Sequence, residues 1–418
     1  MAHVDRHDDR LDATQTSISR VFREEYGRVV AGLVRLLGDI DLAEESVQDA
    51  LLIASQRWPQ TGVPPNPAAW ITVTAKNRAL DRLRRESTRA HRELRATMST
   101  QPDPDEQAIE GQPIEDDRLR LIFTCCHPAL ASDAQVALTL RLLGGLHAGE
   151  IARAFLVPEA TMRQRITRAK RKIAANNIPY RVPESAELPE RLAAVLAVTY
   201  LVFNEGYIAT AGDQLVRDDL CAEAIRLGRI LVSLMPDEPE AVGLLALMLL
   251  TEARRAARNA GGELVPLAEQ DRSLWRRDLI DEGHALVRAC LRRNRPGPYQ
   301  IQAAINAVHT DANSAAETDW AQVVQLYDQL SAVAPSPIVS MNRAIALAEL
   351  DGPEVGLAAL QGLDLEHYQP FQSTRADLLR RAGRAGEAAQ AYRAALAITT
   401  NEIERRFLER RLAELTPT

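Results

Sequence analysis

The sequence predicts an all-α protein: two small helical domains followed by a long α-solenoid. Three observations carry that expectation. Ala, Leu, Arg and Glu dominate while aromatic residues make up only 4% of the chain, a composition whose intrinsic propensity favours helix over sheet. Apolar residues recur at intervals of three and four from about Ile18 onward, the period of a helix with one buried face. The breaks in that period fall on clusters of Pro, Gly, Asn and Asp, which punctuate helices rather than alternate as strands do.

At 418 residues the chain exceeds one domain, and its breaks divide it. Residues 1–18 read as a disordered N-terminus, 19–97 as a first helical domain, 98–117 as an acidic linker, 118–178 as a second domain and 190–418 as the solenoid. In the first domain Phe22, Tyr26, Val29, Val30, Leu33 and Leu37 form an apolar stripe that ends at Gly38-Asp39. Asp41 is the expected N-cap of the next helix, with Glu44 completing a capping box, and that helix runs through Gln56. Pro59 to Pro67 contains four prolines and a glycine and reads as a loop. A basic helix follows from about Ala68 to Arg95, with Trp70, Val73, Leu80 and Leu83 as its buried seam. The linker carries seven acidic and no basic residues and is expected to be extended. From Glu190 onward the pattern is helical, and Ala376 to Leu396 resembles a tetratricopeptide (TPR) unit, with Gly383 at the inter-helix turn and Glu387, Ala388, Tyr392 and Ala395 following. Tyr327 with Pro335 and Ala224 with Pro236 are weaker echoes of it.

Charge separates the parts further. The net charge of −7 divides into 26 basic against 24 acidic residues over 1–181, and 24 against 33 over 182–418. Trp70 to Arg95 holds eight basic and three acidic side chains, and Pro158 to Arg181 seven and one. Two basic stripes of this kind are the footprint of a two-point nucleic-acid contact, set against the alternative of solvated helix faces. Four scattered cysteines make no disulfide framework. No apolar run of membrane-spanning length and no signal peptide are seen, so a cytoplasmic protein is expected. Adjacent Cys125 and Cys126, with His127, cannot serve one tetrahedral ion as a C-x-x-C pair does, and read as structural. Asn204 to Tyr207 reads as a helix end capped at Gly206. No P-loop, dinucleotide fingerprint or H-E-x-x-H motif occurs, so no metal, cofactor or enzymatic activity is expected.

The strongest local signal is Glu150 to Lys172. A short helix over Glu150–Phe155, a tight turn at Leu156-Val157-Pro158 and a second helix from Glu159 have helix-turn-helix spacing. Met162, Ile166, Ala169 and Ile173 share the face that packs on the core. Thr161, Arg163, Gln164, Arg165 and Arg168 are left for DNA bases, and Arg168, Lys170, Arg171 and Lys172 for phosphates.

These segments together resemble the sigma-70 family of transcription initiation factors, specifically the extracytoplasmic-function (ECF) class, which keeps only the region-2 and region-4 domains. The resemblance spans about residues 19–175 in the family's order. It rests on Asp41 to Leu51, Trp58, the Pro-rich loop, Ala69-Trp70, Asn77-Arg78, Asp81 to Arg85, and Val157-Pro158 through Lys170. Phe123 to Leu130, Phe203 to Tyr207 and the helical tail resemble a subgroup with a TPR-like C-terminal extension. The resemblance implies docking on core RNA polymerase, at the β′ coiled coil and the β subunit, through Asp39, Asp41, Glu44, Glu45, Gln48 and Asp49. It implies promoter DNA as the second partner. Opening of the −10 element would fall to Gln60, Thr61 and Asn66 as pocket groups, with Lys76, Asn77, Arg78, Arg82, Arg84 and Arg85 on the strand or upstream duplex. The helix-turn-helix would read the −35 element. The acidic tail is expected to tune activity, and whether an anti-sigma or other signalling partner engages it stays open. A helix-turn-helix activator with a TPR-type sensor, acting without core polymerase, is the rival reading; it leaves Asp41 to Arg85 unexplained.

Overall fold

The computed structural model describes residues 25–94, 114–155, 157–184, 186–207, 218–260 and 263–415. At 68, 85–94, 114–116, 153–154, 218–219 and 259–260 it describes the backbone alone. The expected disordered N-terminus lies outside these residues, as does most of the expected linker. The chain divides into two compact units, Met1–Val198 and Thr199–Thr418. Among the described residues no helix is long and apolar enough to cross a membrane.

The first unit begins with α1 (residues 25–37), whose Tyr26, Val29, Val30, Leu33 and Val34 are all buried along one stripe. Helix α2 (Ile40–Thr61) is capped by Asp39, whose carboxylate accepts the Leu42 N–H at 3.0 Å. The cap therefore sits two residues before the expected Asp41, and Glu44 is not part of a capping box. The helix also runs five residues past Gln56, with Pro59 inside its last turns. It stops at Gly62, where φ of +81° is open to glycine and strained for other residues. Asn66 then opens α3 (Pro67–Leu94), its side chain accepting the Ala69 N–H at 3.0 Å.

The seam of α3 differs from the expected one. Ile71, Ala75 and Ala79 are buried, whereas Val73 is 58% and Leu83 40% exposed. Small alanines at four-residue spacing let α3 lie close on α2, and this close packing outweighs the larger but misphased valine and leucine. Helix α4 (Ile114–Cys125) starts inside the stretch read as linker. The reason is Asp117, a buried acid held between Arg35 and Arg120, each at 3.0 Å. Helices α5 (Ser132–Leu142), α6 (Ala148–Ala154) and α7 (Glu159–Ala175) complete a compact group, α7 packing on both α5 and α6. Helix α8 (Leu188–Tyr207) carries the division between the units, which falls beyond residue 190, where the solenoid is expected to begin.

The second unit is built around α10 (Pro239–Glu252), apolar on every side and packed against α9 (Asp218–Leu234), α12 (Arg277–Arg293) and α13 (Pro298–Asp311). A four-residue helix, α11 (Arg255–Arg258), and a two-stranded antiparallel pair, β1 (Asn259–Ala260) with β2 (Glu263–Leu264), follow α10. That pair was not foreseen in an all-helical tail. From α13 onward each helix packs on the next, through α14 (Trp320–Val333), α15 (Pro337–Asp351), α16 (Pro353–Ala359), α17 (Gln369–Arg381), α18 (Ala385–Ile398) and α19 (Glu402–Ala413). The core is accordingly a series of small clusters, one around Ile301, Val323 and Leu330, one around Met341, Phe371 and Leu378, and one around Leu379, Tyr392 and Leu408. Serial nearest-neighbour packing of this kind is the hallmark of a solenoid. Gly383, with φ of +75°, makes the turn between α17 and α18 at the position expected from sequence. Gly206 does not cap α8 as expected. It lies within the helix, where a Cβ would come within 2.7 Å of the Cys221 backbone nitrogen.

Two outcomes follow for the second unit. At Gly243 on α10 a Cβ would stand 2.7 Å from the Gln300 nitrogen, so Gly243→Ala should destabilise this unit by about 1–3 kcal/mol in denaturant unfolding. His309, edge-on to Trp320 at 5.2 Å, has its pKa lowered from 6.5 to about 4 by burial, with Arg254 and Arg272 adding to the effect. The fold thus holds a neutral imidazole where the unfolded chain takes up a proton. Its contribution is complete above pH 6.5 and is lost as pH falls toward about 4. The melting temperature of His309→Gln should fall less steeply than wild type across that window.

Candidate nucleic-acid interface

The helix-turn-helix is formed by α6 and α7. Glu150 accepts the His147 N–H at 2.6 Å and caps the first helix, and Val157 N–H closes the turn on Ala152 O at 3.0 Å. Met162, Ile166, Ala169 and Ile173 are all buried, which fixes the rotation of α7 on the core. Thr161, Arg163, Gln164, Arg168, Arg171 and Lys172 are consequently exposed. Arg163 pairs with Glu159 at 2.5 Å along its own helix, and Arg165, half-buried, with Asp133 at 3.2 Å. Surface pairs like these are weak enough to exchange for a phosphate or a base edge.

On α3, Lys76, Asn77, Arg78, Arg82 and Arg84 are exposed, Arg82 meeting Glu45 of α2 at 2.5 Å. The Arg85 side chain lies outside the described residues. The three expected pocket groups change character. Gln60 and Thr61 belong to the last turn of α2 instead of a loop, and the Thr61 hydroxyl donates to Arg57 O at 3.0 Å. Asn66 is engaged as the cap of α3. Beside them Trp58 is buried and meets the half-buried Trp70 edge-on at 5.5 Å.

The residues expected on core polymerase divide into two groups. Asp39, Glu45, Gln48 and Asp49 are exposed along α2. Glu44 is buried, with only 6% of its side chain accessible, and is held by cations from the second helical group. Arg141 of α5 donates through Nε and Nη2 to Glu44 Oε1, and Lys170 of α7 reaches Oε2 at 2.5 Å and Asp41 Oδ1 at 2.7 Å. Gln48 adds a hydrogen bond to Oε1 at 3.2 Å. Burial by itself would lower the Lys170 pKa, but Glu44 and Asp41 outweigh it and the pKa is raised. Lys170, expected on DNA phosphate, is thus only 11% accessible and faces α2.

Further contacts close the same joint. A Cβ on Gly27 of α1 would stand 2.7 Å from Leu143 O after α5, so only glycine admits this approach. The Tyr180 hydroxyl lies 2.7 Å from Ala31 O and 3.0 Å from Asp117 O, and Arg35 of α1 meets Asp117 of α4. Cys125 and Cys126 are buried in this core. Burial pushes the Cys126 thiol up to about 12 and Cys125 well above its usual value, which removes the thiolate that nucleophilic or metal chemistry requires.

Residues 21–89 match sigma-70 region 2, and residues 120–173 match sigma-70 region 4. Residues 191–291 match a family of unknown function, DUF6596. An uncharacterised protein of Rhizobium meliloti (strain 1021) is 44% identical over 394 residues, 93% of each chain. The ECF RNA polymerase sigma factor SigK of Mycobacterium sp. (strain KMS) is 27% identical over 160 residues, covering 37% of this chain and 78% of its own. No solved structure matches. The chain belongs to the sigma-70 family, as an ECF-class factor with a C-terminal extension. Sigma factors of this family are non-enzymatic regulators that work with core RNA polymerase on promoter DNA. In this sigma factor the two matched regions are α1–α3 and α4–α7, and the Glu44 joint lies between them.

Arg141 is the residue that sequence reasoning missed. Its signal was a single charge inside the apolar run Leu138 to Leu143, a position that demands a buried partner. Glu44→Ala should strand the Arg141 charge and weaken the joint by about 3–5 kcal/mol, seen as faster amide hydrogen exchange in α5 and α7. The paired exchange Glu44→Leu with Arg141→Met should restore most of the protection.

Proposed function

We propose that this sigma factor docks on core RNA polymerase through α2, opens the −10 element with the end of α2 and α3, and reads the −35 element with α7. The observation that carries the reading is the rotation of α7. Its buried seam of Met162, Ile166, Ala169 and Ile173 turns Arg163, Gln164, Arg168, Arg171 and Lys172 outward, as groove reading requires. The exposed cations of α3 supply the second contact at the expected distance along the chain. Docking would draw on Asp39, Asp41, Glu45, Gln48 and Asp49, with Leu52 as an exposed apolar side chain on the same helix.

The Glu44 joint adds a condition to this reading. Lys170 cannot lie on a promoter phosphate while it holds Asp41 and Glu44, nor can the buried Glu44 meet core polymerase. The arrangement is a closed form, and initiation requires that α7 part from α2. The acidic second unit, with 30 acidic against 23 basic residues over 199–418, is proposed to tune this step, and a signalling partner would act there.

Run-off transcription with purified core enzyme tests the proposal. Arg163→Ala and Arg168→Ala should each cost about 1–3 kcal/mol of promoter affinity. Arg171→Ala and Lys172→Ala should weaken all DNA alike and flatten the salt dependence. Initiation independent of added sigma factor, or untouched by all four substitutions, would sink the reading. A chain ending at Val198, which keeps the Arg191 bond to Phe123 O, should alter promoter output if the second unit is the regulator.

A further inference from the structure

The second unit contains a cavity of about 990 Å³ beside α11, α13, α17 and α19. Its lining carries six arginines and three carboxylates, and the carboxylates are all engaged. Glu269 meets Arg411 at 2.6 Å, Glu349 meets Arg381, and Asp377 meets Arg380 at 2.6 Å. The other three arginines, Arg254, Arg258 and Arg272, have no carboxylate within 4.0 Å among the described residues.

Neutral acceptors hold these three guanidinium groups in place. Arg254 Nη2 donates to Asn306 Oδ1 at 2.6 Å, while its buried Nε finds no acceptor. Arg258 Nη1 donates to Tyr207 O at 2.6 Å and lies 4.6 Å above the Tyr207 ring. Arg272 Nη1 donates to His309 O at 2.7 Å and Ala312 O at 2.5 Å, its guanidinium stacked 4.5 Å over Trp275. Each keeps donors in reserve, since a guanidinium carries five N–H groups. Burial lowers the pKa of Arg254, and Arg258 lowers it further; burial and then Arg254 do the same to Arg272. Glu404 and Glu317 act on Arg258 and Arg272 only from beyond contact range.

Clustered cations of this kind are a cost to the fold unless something anionic relieves them. Trp320, Phe407 and Tyr207 provide apolar and aromatic wall beside them, and the volume suits a small molecule. We propose that this cavity binds a small organic anion carrying two or more carboxylate or phosphate groups on an aromatic or apolar frame. The anionic groups pair with Arg254, Arg258 and Arg272 and the frame packs on the aromatic wall. Binding itself stands on the second unit alone; a role for the ligand in initiation rests on the regulatory reading above.

Titration calorimetry on the full chain tests the proposal with three probes: benzene-1,3,5-tricarboxylate, adenosine diphosphate and the uncharged benzene-1,3,5-trimethanol. At least one anionic probe should bind saturably, tighter than about 1 mM, and the uncharged one should not. Arg258→Gln should weaken that binding about tenfold or more. Arg229→Gln, which breaks an exposed pair with Glu282 elsewhere in the unit, should leave it unchanged. Should Arg258→Gln fail to fold, phenylglyoxal labelling of the wild type replaces it, and the anionic probe should protect Arg254, Arg258 and Arg272 but not Arg229. No saturable binding of either anion, equal binding of the uncharged probe, or binding indifferent to Arg258→Gln and without protection of these arginines overturns the proposal.

Discussion

A buried carboxylate organises the first unit. Glu44 is the anion at which α2, α5 and α7 meet, and its surroundings are arranged to make that burial tolerable. Arg141 and Lys170 bring opposite charge, Gln48 brings a further donor, and Asp41 takes the remaining charge of Lys170. An ion pair in such a place stabilises less than apolar packing would, because both partners are stripped of water. On the proposed function a charged joint would also be exchangeable, the acids for cations of core polymerase and Lys170 for a phosphate.

This arrangement links packing to function through shared residues. The helix face that fixes α7 on its own domain leaves the side chains proposed to meet DNA outward, but Lys170 lies at the border between the two faces and is taken by α2. The acids of α2 divide in the same way, with Asp39, Glu45 and Asp49 on the open side and Glu44 inside. The closed form therefore hides only part of each surface. On the proposed function, opening the joint would uncover an anionic and a cationic patch together and would make docking and promoter binding coupled steps of one transition.

The second unit follows a different principle. Its helices pack serially, and its unusual feature is a concentration of positive charge inside an acidic body. Three of the six arginines around the cavity are neutralised by neighbours in the solenoid, and three are held by carbonyls, an amide and aromatic rings. Such an interior fits the anion binding proposed for it, within a unit that is otherwise acidic, with 23 basic against 30 acidic residues over 199–418.

Helical periodicity, breaker clusters and charge runs were enough to read the all-α class, the helix-turn-helix and its buried seam, the basic face of α3 and the glycine turn at Gly383. These are local properties: they depend on residues within a turn or two of one another, and the chain carries them in order. The N-cap at Asp39 and the extension of α2 to Thr61 were misplaced by a few residues although their contacts are local. The alanine seam of α3 and the helical start at Ile114 were misplaced because each is settled by what packs across from it. The partnership of Glu44 with Arg141, 97 residues away, and with Lys170, 126 residues away, and the cluster of Arg254, Arg258 and Arg272 lay beyond sequence reasoning altogether. The sequence by itself determined which segments are helical and which faces carry charge. Only the tertiary structure decided which of those charges meet each other and which stay available, because desolvation and pairing depend on distance in space and not along the chain.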